Sequence, residues 1–356
     1  NFIDEQTFNF KLTDSERIQK ELPKAEPFPY FDTKVIDNKR CQGIKTQRNY
    51  KVDIVKSPFS IKVSRVSTKE TLLNTKDHVI ILSNTYVEFS YSIPHSKDIF
   101  GFGERTTSFK LESGIYTLYN KDAFGTIENF KGGNNRYGSH PMYLLREKSK
   151  LYHTAFLRNS YPMDAIVSLD NHELTYKILG GVIDLTLFTG TEKDYKDSFT
   201  GRTVKARTPI SSITQYHKLL GGFSLPPFWS MGFQQSRWGY DNKEKIVKVL
   251  EGYDSNNLPL DVLWMDIDYM ISKKPFTFDE SRYGSPEDFN KLLQKHKKKF
   301  VMIVEPEIGL NDSKSEEFKE AEEKELFIAT KEGDILLNRV WPGTCAFYDY
   351  FNPQME

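Results

Sequence analysis

The chain has 356 residues, room for about two domains of ordinary size, each able to bury a core. Its 49 Lys plus Arg balance its 49 Asp plus Glu, so a formal charge of +0 and a pI near 7.2 give no electrostatic case for nucleic acid or an anionic membrane. No apolar run approaches the ~20 residues that span a bilayer, and Cys41 and Cys345 are too far apart in sequence to form a metal-ligand spacing or to decide the redox compartment.

Residues Asn1 to Asp37 are polar and mixed, with a short helix expected over Ser15 to Leu22 that Pro23 ends. We read residues 1–45 as an N-terminal extension without assigned chemistry. From Tyr50 the pattern changes to alternation, with Phe59, Ile61 and Val63 on one face, then Val87, Phe89, Tyr91 and Ile93. Further strands are expected over Ile115–Tyr119, Met142–Leu145, His153–Leu157, Asp164–Leu169, Leu174–Leu179 and Val182–Phe188. Many short strands with little helix predict a mostly antiparallel β-sandwich over residues 46–222, whose core can use the chain's 14% aromatic content. Glu104 and His140 fall in its strands or turns, where bonding to backbone is the expected role. Thr189 to Arg207 reads as a solvated insertion. A helix then starts at Thr208-Pro209 and ends at Gly221-Gly222, which puts a domain boundary near residue 222.

The most informative stretch follows. Two apolar runs, Trp229–Phe233 and Leu260–Trp264, flank a helical pattern capped by Asp241 or Asn242, with Ile246, Val249, Leu250 and Tyr253 on one face and Asn256, Asn257 and Pro259 as the stop. Strand, helix, strand predicts a right-handed crossover in a parallel sheet, where functional groups collect at the C-terminal ends of strands. Arg237, Trp238, Asp266 and Asp268 fall there. If the second strand runs on, Trp264, Asp266 and Asp268 share one face, and an aromatic ring beside two carboxylates suits a sugar. The same aspartates equally suit the cap of a following helix or a solvated turn. A nucleotide-sugar glycosyltransferase would use Asp266-x-Asp268 for a metal, yet no glycine-rich phosphate loop precedes it.

Downstream, Ser285-Pro-Glu starts a helix whose face carries Phe289, Leu292, Leu293 and His296; with no second ligand spaced to it, His296 reads as a helix-face residue. Lys295, Lys297, Lys298 and Lys299 read as a solvated helix end. Phe300–Val304 is expected as a buried strand, and Ser313–Lys324 as an exposed helical excursion with few apolar anchors. Asn311-Asp-Ser313 has the form of a glycosylation sequon.

Over this whole length the sequence resembles family 31 of the glycoside hydrolases. The residues that carry the resemblance are Leu225-Pro-Pro-Phe-Trp, Gly232-Phe, Arg237-Trp-Gly-Tyr, Pro259-Leu-Asp-Val, Asp266-Ile-Asp-Tyr-Met and Phe276-Thr-Phe-Asp279. Earlier in the chain they are Gly101-Phe-Gly-Glu104, Tyr119-Asn-Lys-Asp122, Tyr137-Gly-Ser-His-Pro141, Asn159-Ser and Gly180-Gly-Val-Ile-Asp184; later, Arg339-Val-Trp-Pro-Gly-Thr-Cys-Ala-Phe347.

The resemblance implies a mutarotase-like sandwich followed by a (β/α)8 barrel, of which residues 223–356 supply about three strands, and a retaining α-glucosidase that releases terminal α-linked glucose. It implies two catalytic aspartates, the nucleophile in a Trp-x-Asp-Met-Asn-Glu type motif. No such motif occurs here, Asn352-Pro353 matches the segment just upstream of it, and both carboxylates are expected beyond Glu356. By the same resemblance Asp266 bonds the hydroxyls of the terminal glucose, and Trp238 and Trp341 wall that subsite. Ile308 adds an apolar wall, and Asp122 reaches the pocket from a sandwich loop. Arg237 and Asp268 support these residues from behind. Glu305-Pro-Glu307 departs from the family's Asp-Pro followed by a small residue or His. The expected partner is an α-glucoside oligosaccharide, with no cofactor or metal, and the expected route is secretory. Transglycosylases, α-xylosidases and lyases share this front half, and a non-catalytic carbohydrate-binding protein is the reading from another class.

Overall fold

The computed structural model describes residues 3–13, 48–120, 133–197, 201–222, 224–310 and 316–355. The chain divides into two compact units, Asn1–Phe223 and Ser224–Glu356.

The first unit is a sandwich of two antiparallel sheets. One runs in the order Thr7–Leu12, Ile183–Phe188, Tyr152–Leu157, Met142–Arg146, Ile99–Gly101. The other runs Tyr50–Lys56, Phe59–Arg65, Thr71–Asn74, Val87–Ser92, Glu173–Ile178, Met163–Ser168, Gly114–Leu118, with Ile80–Leu82 paired beside Val87–Ser92. The alternation that predicted these strands is the alternation that fills the core: Val63, Phe89, Tyr91, Tyr143, Ala155, Tyr176 and Leu185 are all 0% exposed. Rings bridge the sheets, with Phe10 edge-on to Phe89 at 5.7 Å and Phe102 edge-on to Tyr176 at 6.1 Å. Burying a side chain of this size contributes about 1.5–3 kcal/mol.

Two readings of this unit change. Residues 1–45 contribute more than an extension, because Thr7–Leu12 pairs in register with Ile183–Phe188 and buries Phe8 and Phe10. Asn9 fixes that register, its amide donating to Asp184 at 2.7 Å and to Thr186 at 3.0 Å. The helix expected over Ser15 to Leu22 lies outside the described residues. The segment after Phe188 is also less solvated than expected. Thr189 and Thr191 are buried, and Tyr195–Lys196 pairs with Thr203–Val204 as a short hairpin. Its hydroxyls find partners close by: Thr189 donates to the Gln6 carbonyl at 2.8 Å, and Ser211 donates to the Thr208 carbonyl at its own helix start while accepting from the Thr191 amide at 3.2 Å. The helix Pro209–Leu219 then packs on this sheet, with Ser212 at 2.8 Å from the Thr154 hydroxyl. Glu104 accepts from the Gly138 amide, and His140 hydrogen-bonds the Tyr216 hydroxyl.

The second unit holds three parallel strands, Gln234–Gln235, Val262–Met265 and Lys299–Met302, in that order. Helices Lys243–Ser255 and Pro286–Lys295 make the two crossovers, capped by Asn242 and Ser285, whose side chains accept from the amides of Lys245 and Asp288. Ile246, Leu250, Phe289 and Leu293 face the strands in one core with Leu263, Met265 and Tyr283. The first strand is shorter and later than its apolar run predicted. Pro226 and Pro227 start a turn, Phe228–Met231, closed by Ser230 bonding the Pro227 carbonyl at 2.7 Å, so pairing begins only at Gln234.

A three-stranded antiparallel sheet, Glu307–Gly309, Gly343–Phe347 and Leu337–Val340, forms an excursion after the third strand. Its helix Glu316–Glu323 is anchored rather than exposed, since Phe318 and Ala321 are buried against Leu326, Phe327 and Ala346. Two anchors at the spacing of one turn suffice to dock a short, charged helix. The third strand itself is only half-buried.

Candidate active-site face

Polar and aromatic residues follow the C-terminal ends of the three parallel strands. After the first strand come Arg237, Trp238 and Gly239; after the second, Asp266 and Asp268; after the third, Glu305 and Glu307.

The second strand stops at Met265, so Asp266 and Asp268 do not stand on an extended ladder. Asp266 caps a single turn, Ile267–Tyr269, its Oδ1 accepting from the Ile267 amide at 2.7 Å. Burial nevertheless keeps the period of two through the turn: Trp264, Asp266 and Asp268 are half-buried while Met265, Ile267 and Tyr269 are buried. The strand thus does not run on as the common-face expectation required, and of the two aspartates only Asp266 takes the capping role. Trp264 is held by its indole N–H, which donates to Gln234 at 2.6 Å.

Asp268 ties the first strand's loop to the second strand, because its Oδ2 accepts from the Gly239 amide at 2.7 Å. Gly239 has φ +110, a conformation that disfavours any side chain. Arg237 and Trp238 precede that anchored amide. Trp238 is 67% exposed. A supporting network was not read from the sequence. Arg282 donates to the Asp268 carbonyl at 2.7 Å, the Met270 carbonyl at 3.2 Å and the Asp241 carbonyl at 3.4 Å, and pairs with Asp279 at 2.7 Å. Its guanidinium is raised above its ordinary range chiefly by the hydrogen bond it donates to Asp279. Asp279 ends the Phe276-Thr-Phe-Asp motif, and that was the available signal.

Trp341 sits at the turn between Leu337–Val340 and Gly343–Phe347, 52% exposed, with the Lys273 ammonium 6.0 Å from its ring centroid. Ile308 is half-buried and packs against the Phe318–Phe327 cluster on one face of the excursion. Asp122 lies outside the described residues. The departing Glu307 is 2% exposed, its Oε1 has no hydrogen-bond partner, and burial, then the neighbouring Glu305, pushes its carboxyl up. Tyr269, which donates to the Ile303 carbonyl at 2.7 Å, is raised by burial and then by Glu305.

His296 caps its helix and pairs with Asp254 at 2.6 Å, which accounts for it as a helix-end residue. Among the described residues no group of three or more His, Cys, Asp or Glu could hold a metal ion, and no helix is long and apolar enough to cross a membrane.

Two family models match, in the order that the two units stand: the glycosyl hydrolase 31 N-terminal galactose mutarotase-like domain over residues 1–164 and the glycosyl hydrolases family 31 TIM-barrel domain over residues 223–356. The chain belongs to glycoside hydrolase family 31. The lysosomal acid alpha-glucosidase of Tetrahymena pyriformis is 32% identical over 349 residues, which cover 96% of this chain and 35% of that relative. The lysosomal alpha-glucosidase of Mus musculus is 32% identical over 309 residues, 86% of this chain and 30% of its own. The chain thus spans about a third of the length of the curated relatives it matches. In fold it is similar to the glucosidase II alpha subunit, with a TM-score of 0.74 at 22% identity over 87% of this chain and 37% of that one. A family 31 dextranase of Flavobacterium johnsoniae gives a TM-score of 0.70 at 18% identity over 86% of this chain and 35% of that one. As a family 31 member, the chain carries in residues 223–356 the first strands of a TIM-barrel domain.

Proposed function

We propose that this chain is the front part of a retaining α-glucosidase that removes terminal α-linked glucose from oligosaccharides. The observation that carries the reading is the Asp268 to Gly239 bond, which locks the Arg237-Trp238 loop beside Asp266 at the ends of two parallel barrel strands in a family 31 chain. That arrangement offers a carboxylate for sugar hydroxyls and an exposed indole for the apolar face of a pyranose. Trp341 adds a second ring and Ile308 an apolar contact. Arg237 and Asp268 act through the loop rather than on the sugar.

Retaining hydrolysis needs two carboxyl groups about 5 Å apart, one as nucleophile and one as acid and base. We place both in residues that follow Glu356 in the full-length protein, so residues 1–356 bind part of the substrate without cleaving it. The relatives named for the lysosome support a secretory route for this protein.

The test compares purified residues 1–356 with the full-length protein on an aryl α-glucoside. The full-length protein should turn over the glucoside and residues 1–356 should not. Turnover by residues 1–356 that disappears on mutating one of their own carboxylates would show the catalytic groups to be misplaced. A full-length protein that binds maltose without cleaving it favours the carbohydrate-binding reading.

A further inference from the structure

Arg65 is 1% exposed, the bulkiest fully buried side chain in the described residues, and it closes the strand Phe59–Arg65 of the larger sheet. Its Nε donates to Glu147 Oε2 at 2.7 Å and one terminal nitrogen donates to Oε1 at 2.6 Å, a two-pronged pair. Glu147 follows Met142–Arg146 in the smaller sheet, so the pair crosses the sandwich. Both side chains are 0% exposed. The same Arg65 nitrogen donates to the Thr189 carbonyl at 2.7 Å, and the other terminal nitrogen faces Glu192 Oε1 at 3.5 Å. Arg65 therefore grips three places: its own sheet, the opposite sheet, and the segment by which the chain leaves Ile183–Phe188.

The surroundings are built for it. His153 Nδ1 lies 3.2 Å from Glu147 Oε1, and the imidazole, also 0% exposed, is edge-on to Tyr143 at 6.0 Å. Ser149 donates to Glu147 at 3.3 Å and Ser67 donates to Glu192 at 2.8 Å. Glu70 closes the turn from the solvent side, accepting the amides of Lys148 at 2.9 Å and Ser149 at 3.2 Å. One guanidinium thus faces two carboxylates.

We propose that Arg65, Glu147, His153 and Glu192 form an acid-resistant clamp that closes the two sheets on each other and on the Thr189–Glu192 segment, so that the sandwich keeps its fold in a mildly acidic compartment. Burial alone would push Glu147 up. The hydrogen bonds and charges of Arg65 and His153 outweigh it and hold the carboxyl down at about 2, against an ordinary 4.5. A depressed carboxyl contributes stability that is complete above its unfolded value of 4.5 and lost only as pH falls through about 2. Between those limits the clamp stays closed where ordinary carboxylates lose their charge. An apolar replacement of such a pair is often as stable, so the clamp's distinctive effect is on geometry and on the tie to Thr189, which only a guanidinium makes.

Hydrogen exchange read by mass spectrometry on the full-length protein tests this, with rates corrected for intrinsic pH dependence. Protection of the peptides spanning residues 59–65, 142–157 and 189–192 should agree within about twofold between about pH 4.5 and about pH 7. Glu147→Gln keeps the shape and removes the charge, and should lower protection in all three by ~10-fold or more at both pH values. If that variant does not fold, the paired change Arg65→Met with Glu147→Leu keeps the packing, and should lose ~10-fold protection at 189–192 alone. Wild-type protection that collapses at the lower pH, or residues 189–192 that stay as protected without Arg65, would overturn the proposal.

Discussion

On the proposed function Asp266 does two jobs, and a pair of substitutions separates them. Its Oδ1 accepts from the Ile267 amide at 2.7 Å, which starts the turn Ile267–Tyr269. On the proposed function the rest of its half-buried carboxylate bonds a sugar hydroxyl. Asp266→Asn keeps an oxygen for the cap and removes the charge. Losing a charge-assisted hydrogen bond costs about 1.5–3 kcal/mol, so kcat/KM of the full-length protein should fall roughly 10- to 100-fold with little change in stability. Asp266→Ala removes the cap as well and should lose a further ~0.5–2 kcal/mol of stability, the cost of an ordinary N-cap. Steady-state kinetics on an aryl α-glucoside and urea unfolding of the same preparations give both numbers. If Asp266→Asn is as active as wild type while Asp266→Ala loses stability, the residue is a cap and nothing more.

Phe318→Ala should destabilise the full-length protein by about 3–5 kcal/mol in urea unfolding, since Phe318 anchors the excursion's core against Phe327, 5.0 Å away between ring centroids. An effect within about 0.5 kcal/mol would return that helix to the exposed class. Glu307→Gln tests a pH effect of known sign. The carboxyl of Glu307 is raised, so its protonated form suits the fold, and its unfavourable contribution grows as pH rises above the ordinary value of 4.5. The glutamine variant should therefore gain stability over wild type near neutral pH and none in acid, as read from urea midpoints at both. An equal gain at each pH would remove charge as the cause.

The sandwich was legible because its signal is local. Alternation of apolar residues is the property that fills its core, and strands such as Met163–Ser168 and Glu173–Ile178 fell within a residue of their expected bounds. Thr7–Leu12 escaped because it is an edge strand set by a partner about 180 residues away, with Asn9 rather than a pattern fixing its register. The first barrel strand was misplaced because the apolar run Trp229–Phe233 looks like a strand, while two prolines upstream turn its start into a 3-10 turn. At the strand ends, type and spacing singled out Asp266 and Asp268. What spacing could not show was how the pair divides the labour, one capping its own turn and the other holding the Gly239 amide. Arg282 was missed for a similar reason: its partners are three carbonyls and Asp279, and carbonyls leave no mark in sequence.

Whether the full-length protein is a retaining α-glucosidase can be read from the anomeric form of its first product. Proton NMR of a fresh digest of an aryl α-glucoside distinguishes α-glucose from β-glucose before mutarotation mixes them. Retention at an α-linkage predicts α-glucose as the initial product, with no release from the matching β-glucoside. Initial β-glucose, or cleavage of the β-glucoside alone, would contradict it.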